Sequence, residues 1–347
     1  MTLKGRKNHF NVKLLRGYGV SISLKNKKII LRNGRDVFSG NSEIEEWFVT
    51  KIPYEKIVVS GRGYLSTEAI KLLNQNNKNV ILTDTYGHPI SYTNGMMNSL
   101  TGTKYRIEQY DAFRNPEICK KLSQKIIHDK VESQIRFLKM TENDLVKDGI
   151  IQLEKYLSDL KSSDHSTIEA KVGRIYFREY AKLIPSRYGF ESRNQLGTGN
   201  SKRRAGDVIN GLLNYGYTVL AGEISKFVCG FGLDPYYGFM HKSHTGFQPL
   251  VYDIIEPFRW LVDYSVWKIA NNQDKRRRIK LKEFVFTKNG SIVLDDSLIK
   301  RFLERLERTF QMEREYKFNS GRKMKNGMSM CQEITIAKIF VQDLINF

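Results

Sequence analysis

The chain has 347 residues, 57 of them Lys or Arg against 37 Asp or Glu, giving a formal charge of +20. With 40% hydrophobic and 12% aromatic residues it can bury a core, which excludes a disordered basic tail, and its length allows two domains. The charge makes nucleic acid the leading partner and an anionic membrane surface the alternative, while no stretch approaches the ~18 apolar residues of a membrane span.

The opening MTLKGRKNHF lacks the apolar core of a signal peptide. Cys119, Cys229 and Cys331 are an odd number, widely spaced, and read as small hydrophobes in a reducing compartment. The expectation is a cytoplasmic protein, with no membrane partner.

Residues 1–95 read as rich in β-strand. Val20, Ile22 and Leu24 alternate with small polar residues, and after a KNKK turn the apolar run resumes at Ile29, Ile30 and Leu31, which predicts a hairpin. Ile57–Val59 and Val80–Leu82 predict further strands, with a short helix between them capped by Ser66 and running to about Asn74. TDTYGHPI, residues 83–90, reads as a turn between strands. The Gly-, Ser- and Thr-rich segment NGMMNSLTGT reads as a connection, so residues 96–106 are assigned as linker.

Residues 107–347 read as helical. Asn115 before Pro116 is a cap followed by proline at the first helical position, and Ile118, Leu122, Ile126, Val131, Ile135 and Leu138 then mark an apolar stripe. Further helices are expected near 145–160, 166–184, 207–228, 250–270, 297–317 and 329–345, with a polar loop over 186–206. The fold class is therefore α+β, a β-rich N-terminal domain followed by an all-α domain.

Four acceptors stand out: Glu169, His241, Asp253 and Glu256. One imidazole with two or three carboxylates suits a hard divalent cation, Mg²⁺ or Mn²⁺. Each also has a plainer reading. Ser166-x-x-Glu169 is a capping-box pattern, and His241 sits in a loop rich in Gly and Tyr. Asp253 and Glu256 share a helix face opposite Val251, Ile254, Ile255, Phe258 and Val262, so spacing alone makes them two solvated acids. Pro257 removes a helical hydrogen bond and predicts a kink or a helix start there. His241-x-x-His244 has no cysteine nearby and is a weak zinc signal. Two basic runs, Lys202–Arg204 and residues 275–282 with Lys275, Arg276, Arg277 and Arg278, are candidate phosphate contacts, as is Arg259. No GxxxxGK[ST] loop is present, which argues against an ATP-driven motor.

Three segments in order, GDVINGLLNYGYTVLAGE, GLDPYYGFMH and LVYDIIEPFR, resemble the integrase-endonuclease of CRISPR spacer acquisition, CRISPR-associated protein one. IPYEKIVVSGRGYLSTEAIKLL with NVILTDTYGHPI is similar to that family's β-domain, and YRIEQYDAFRNPEICKKLSQKIIHDKVESQIRFLK to the start of its helical domain. The resemblance implies metal ligands at Glu169, His241 and Glu256, with Asp253 beside the metal. It implies a homodimer formed through the N-terminal domain, DNA as substrate, and a small ferredoxin-like partner, CRISPR-associated protein two. The implied reaction is attack of a 3′-hydroxyl on a phosphodiester, inserting short DNA into a repeat array. Two other functions stay open: a transposon-encoded integrase with the same catalytic domain, against which the end of the chain at Phe347 counts, and a non-enzymatic basic protein that shapes DNA.

Overall fold

A computed structural model describes residues 12–34, 41–54, 56–76, 78–83, 89–93, 100–159, 165–193, 205–230, 233–242, 248–288 and 290–310. The chain divides into two compact units, residues 1–96 with 296–307, and residues 97–295 with 308–347.

In the first unit β1 (Val12–Lys25) and β2 (Lys28–Arg32) form the expected hairpin, with Ile22 opposite Leu31 and Leu24 opposite Ile29. The two turn residues, Asn26 and Lys27, both have positive φ, the geometry whose twist matches that of paired strands. β4 (Lys56–Leu65) runs parallel to β1, and β5 (Asn79–Thr83) parallel to β4, with α1 (Thr67–Gln75) crossing between them. The Ser66 hydroxyl accepts from the Ala69 amide and caps α1 as predicted. Gly61 lies so close to β1 that a Cβ there would stand 2.1 Å from the Gly17 carbonyl oxygen, which fixes glycine at that point.

Two edge strands complete the sheet. β3 (Ile44–Phe48) pairs with β2, and β6 (Pro89–Thr93) with β5, giving the order β3-β2-β1-β4-β5-β6. β3 was not expected from sequence, because IEEWF places two acids together and then two aromatics, an order with no alternation of apolar and polar residues. Residues 84–88, most of the predicted turn, lie outside the described residues. Leu15, Ile22, Leu31, Ile57, Leu73 and Val80 are inaccessible and make the core.

The second unit is helical apart from a short hairpin. α2 (Leu100–Arg114) begins inside the segment assigned as linker, so residues 100–106 are helix rather than connection. A glycine inside a helix costs about 1 kcal/mol, and tertiary anchors later in α2 override that local preference. Gln109 alone makes three hydrogen bonds to a loop over a hundred residues away in sequence. α3 (Pro116–Met140) is capped by Asn115, whose side-chain oxygen accepts from the Glu117 and Ile118 amides. α4 (Lys147–Asp159), α5 (His165–Lys182) and α6 (Val208–Gly230) follow, then α7 (Pro249–Ile255) and α8 (Trp260–Ala270).

A 3-10 turn over Glu256–Phe258 separates α7 from α8, the break that Pro257 predicted. β7 (Phe284–Phe286) pairs with β8 (Ile292–Leu294). α3 is the hub, touching α2, α4, α5, α8 and the 3-10 turn. Its buried Phe137 packs against the rings of Tyr176, Tyr180, Tyr264 and Trp267 at 6.0–6.4 Å, and aromatic pairs of this kind add roughly 0.5–1.5 kcal/mol each to their burial.

α9 (Asp296–Phe310) is the last described element. Its residues 296–307 group with the first unit, where Asp296 meets Arg16 at 2.8 Å, although the sequence pattern assigns them to the helical domain. The helix expected near 329–345 lies outside the described residues. Among the described residues no helix is long and apolar enough to cross a membrane.

Candidate metal centre

The predicted acceptors lie on four elements of the second unit: Glu169 on α5, His241 in the loop before α7, Asp253 on α7 and Glu256 in the 3-10 turn. A residue not singled out from sequence lies between them. The ammonium of Lys130, on α3, is 2.7 Å from Oε1 of Glu169 and 2.6 Å from Oε2 of Glu256. Glu169 sits in the first turns of α5, and its carboxylate accepts from this ammonium.

Glu256 and Asp253 are both buried, 4% and 0% exposed, so the expectation of two acids facing away from the core is corrected. The helical wheel was right about the apolar face. The opposite face is covered as well, because α7 packs on α6 while the following turn packs on α3.

The second oxygen of Glu256, Oε1, accepts from the Arg259 guanidinium at 2.9 Å. Burial raises the cost of charge on Glu256, but Arg259 and Lys130 outweigh it and hold the carboxyl down at about 2. Burial acts on Lys130 in the opposite sense and is overcome by Glu256 and Glu169, which raise its pKa. Arg259 also lies 4.0 Å over the ring of Tyr217. A guanidinium engaged on both sides in this way positions Glu256.

Asp253 is the organiser of the histidine loop. Its Oδ2 accepts from the Phe239 and Met240 amides at 2.8 and 3.1 Å, and its Oδ1 from the His241 amide at 2.9 Å. Oδ1 also takes Nδ1 of His241 at 2.5 Å. Since a carboxylate only accepts, Nδ1 carries the proton and Nε2 is the nitrogen that can act as a ligand. Gly238 makes the wrap possible, as a Cβ there would come 2.6 Å from Oδ2 of Asp253. Burial pulls the His241 pKa down, but Asp253, Glu256 and Glu169 raise it overall.

From the other side Gln109 clamps the loop through the Asp234 and Tyr237 carbonyls, and Tyr110 donates to Asp234 at 2.8 Å. None of these clamps was found from sequence; Gln109 carries no motif, and only its place on a helix preceding the catalytic segments hints at contact.

The donor set fits a hard divalent cation in kind: two carboxylates and one imidazole nitrogen. Glu169, His241 and Glu256 would hold the ion. Among the described residues, the three such side chains whose ligand atoms all lie within 4.8 Å of one another are instead His128, Asp129 and Glu132 on α3, part-exposed, with Glu132 also paired to Arg136 at 3.1 Å.

Lys275, Arg276 and Arg277 are exposed in the loop after α8, while Arg278 is half-buried and donates to the Asn272 carbonyl. Lys202, Arg203, Arg204 and His244 lie outside the described residues.

The family model described as CRISPR associated protein Cas1 matches residues 14–308. The CRISPR-associated endonuclease Cas1 1 of Archaeoglobus fulgidus is 30% identical over 239 residues, covering 62% of this chain and 68% of the relative. The CRISPR-associated endonuclease Cas1 3 of Thermus thermophilus is 27% identical over 282 residues, covering 77% and 78%.

Among solved structures, a casposase bound to integration product superposes with a TM-score of 0.81 at 24% identity, over 96% of this chain and 89% of that one. A chain of a Cas6-RT-Cas1–Cas2 complex gives 0.73 at 17% identity, over 100% of this chain and 36% of that one. Identities this low speak for the fold alone. The α+β fold, the three ordered segments and the match over residues 14–308 lead to one conclusion: the chain belongs to the Cas1 family of CRISPR-associated proteins.

Proposed function

We propose that the chain is a divalent-metal-dependent DNA endonuclease and integrase that joins short DNA into a CRISPR array. The observation that carries this is the convergence of Glu169 and Glu256 on one ammonium, with the His241 imidazole oriented by Asp253, in a chain of the Cas1 family. A bound Mg²⁺ or Mn²⁺ supplies Lewis-acid polarisation of a phosphoryl oxygen and positive charge for the transition state.

The protein's own groups do the rest. Glu169 and Glu256 offer carboxylate oxygens, Asp253 fixes the tautomer in which Nε2 of His241 carries the lone pair, and Arg259 steadies Glu256. For integration the nucleophile is the 3′-hydroxyl of the incoming strand and the leaving group is the 3′-oxygen of the cut phosphodiester. With water as nucleophile the same site nicks DNA.

The partners of this reading are duplex, branched or single-stranded DNA, a second copy of the chain, and a small ferredoxin-like Cas2 protein. The place of action is the cytoplasm of a prokaryotic cell. The casposase likeness keeps a transposon-borne integrase as the second reading, because the two share a fold; a CRISPR array beside the gene separates them.

Two measurements test the proposal. In purified Glu169→Ala and His241→Ala proteins, Mn²⁺-dependent nicking and strand joining should fall by about a hundredfold or more, as expected when a transition-state charge is lost. Duplex binding should persist, since the basic residues proposed to contact DNA are left intact. Full activity in either variant removes the site assignment. Reversing charge at Arg276 and Arg277, which are exposed, should weaken DNA binding and flatten the salt dependence by roughly one unit of slope for each phosphate no longer neutralised. An unchanged slope takes this loop off the DNA path.

A further inference from the structure

Lys130 has no part in the proposed reaction, yet its ammonium stands between the Glu169 and Glu256 carboxylates. It stands on α3 next to the inaccessible Val131, and its side chain is only 12% exposed. A buried ammonium needs partners to offset the loss of water, and the two Lys130 has are carboxylates assigned above as metal ligands. We propose that Lys130 is a displaceable counter-ion of the metal site: its ammonium holds Glu169 and Glu256 together and competes with the divalent cation for them. This rests on the metal-site reading and deepens it, by making a lysine the residue that sets metal affinity.

Three observations carry the inference. The ammonium touches one oxygen of each glutamate, so those oxygens can be no farther apart than the two distances together, and the lysine spans them as a cation would. Its 2.6 Å contact with Oε2 of Glu256 is an ion pair between an ammonium and a carboxylate oxygen, so a divalent cation that takes that oxygen must replace the lysine there. Glu256 also keeps Arg259 on its other oxygen, so it is not left as an unpaired buried charge when the ammonium moves.

Charge gives the direction of the effect. Lys130 and Arg259 already neutralise Glu169 and Glu256. A divalent ion entering with the ammonium still in place meets a like charge a few ångströms away in a poorly screened interior. Removing the lysine charge therefore favours the metal. A lysine that only supported the fold would have the opposite effect, because its loss would loosen the carboxylates and weaken metal binding. Lys130 is in this sense a positioning residue, and metal affinity is the quantity that distinguishes the two roles.

The test is calorimetric titration of chelator-stripped protein with Mn²⁺, in wild type, Lys130→Met and Glu256→Ala. Lys130→Met, which keeps the length of the side chain and drops its charge, should bind Mn²⁺ at least tenfold more tightly than wild type, and Mn²⁺ should raise its Tm by more. Glu256→Ala should lose the site. Equal or weaker binding by Lys130→Met, with wild type binding and Glu256→Ala not, overturns the inference and leaves the metal site standing. No binding in any of the three overturns the metal site and the inference with it. Should Lys130→Met fail to fold, wild type is titrated with Mg²⁺ while the buried ammonium is followed by its ¹⁵Nζ resonance. A shift of that signal in step with Mg²⁺ binding supports displacement, and a signal unmoved at saturation overturns it.

Discussion

Glu256 and Asp263 are nearly inaccessible, 4% and 1% exposed, and both feel the charge of Arg259, yet the protein treats them in opposite ways. Glu256 is met by two cations, Lys130 and Arg259, and held down at about 2. Asp263 is met by hydroxyls: Tyr176 donates to Oδ2 at 2.7 Å, Tyr217 donates to Oδ1, and Tyr180 donates to the Asp263 carbonyl at 2.8 Å. Burial raises the Asp263 pKa, and the phenol donors with Arg259 and Arg193 do not fully reverse it. The difference separates a carboxylate kept charged, and so able to hold a metal, from one that ties α5, α6 and α8 together. A buried acid by itself identifies neither role; its neighbours do.

The sharpest way to test this contrast is pH. Glu256 has a folded pKa below its ordinary 4.5, so its contribution to stability is complete above that value and is lost as pH falls towards about 2. At about 1.4 kcal/mol per unit the contribution is of the order of 3 kcal/mol. The stability advantage of wild type over Glu256→Gln should therefore shrink below about pH 5. Asp263 has the opposite sign. With its folded pKa raised above 3.8, the unfolded chain ionises first as pH rises, and wild type loses ground to Asp263→Asn through that window and does not recover it. Urea unfolding of the three proteins in chelator between about pH 3 and 8 reads both slopes. Parallel slopes for the two variants would mean that the two acids are in the same state after all.

Much of this was legible in the sequence, and what was not has a physical reason. The β1–β2 hairpin, the Asn115 and Ser66 caps and the break at Pro257 follow from local chemistry, and local chemistry is what a sequence displays. Glu169, His241 and Glu256 came together only through the family resemblance, because spacing alone also allows a cap, a loop histidine and a solvated acid. Lys130 was passed over because a lysine beside an apolar helix stripe normally reaches water, and here α5 and the 3-10 turn close over it. The same covering explains the misread acids. A helical wheel assumes one wet face, and the run from α7 through the turn has none. The tyrosines around Asp263 were invisible for a further reason: Tyr176, Tyr217 and Asp263 lie on three helices, with no pattern that relates them.

Tyr217 is where the two clusters meet, and it offers the finest division between them. Its ring lies under the Arg259 guanidinium at 4.0 Å and the Arg193 guanidinium at 5.3 Å, while its hydroxyl serves Asp263. Tyr217→Phe keeps the ring and removes the donor. Asp263 is left with an unpaired buried oxygen, which should cost about 1–2 kcal/mol in urea unfolding. Arg259 keeps its platform, so Glu256 should stay charged and Mn²⁺ affinity should change by no more than about twofold, a free-energy change under about 0.5 kcal/mol. If the hydroxyl and the metal carboxylate are independent, the Tyr217→Phe and Glu256→Gln losses add to within about 0.5 kcal/mol in the double variant. A larger coupling, or a fall in Mn²⁺ affinity with Tyr217→Phe alone, would join the two carboxylates into one network through Arg259 and end the division between a site met by cations and a tie met by hydroxyls.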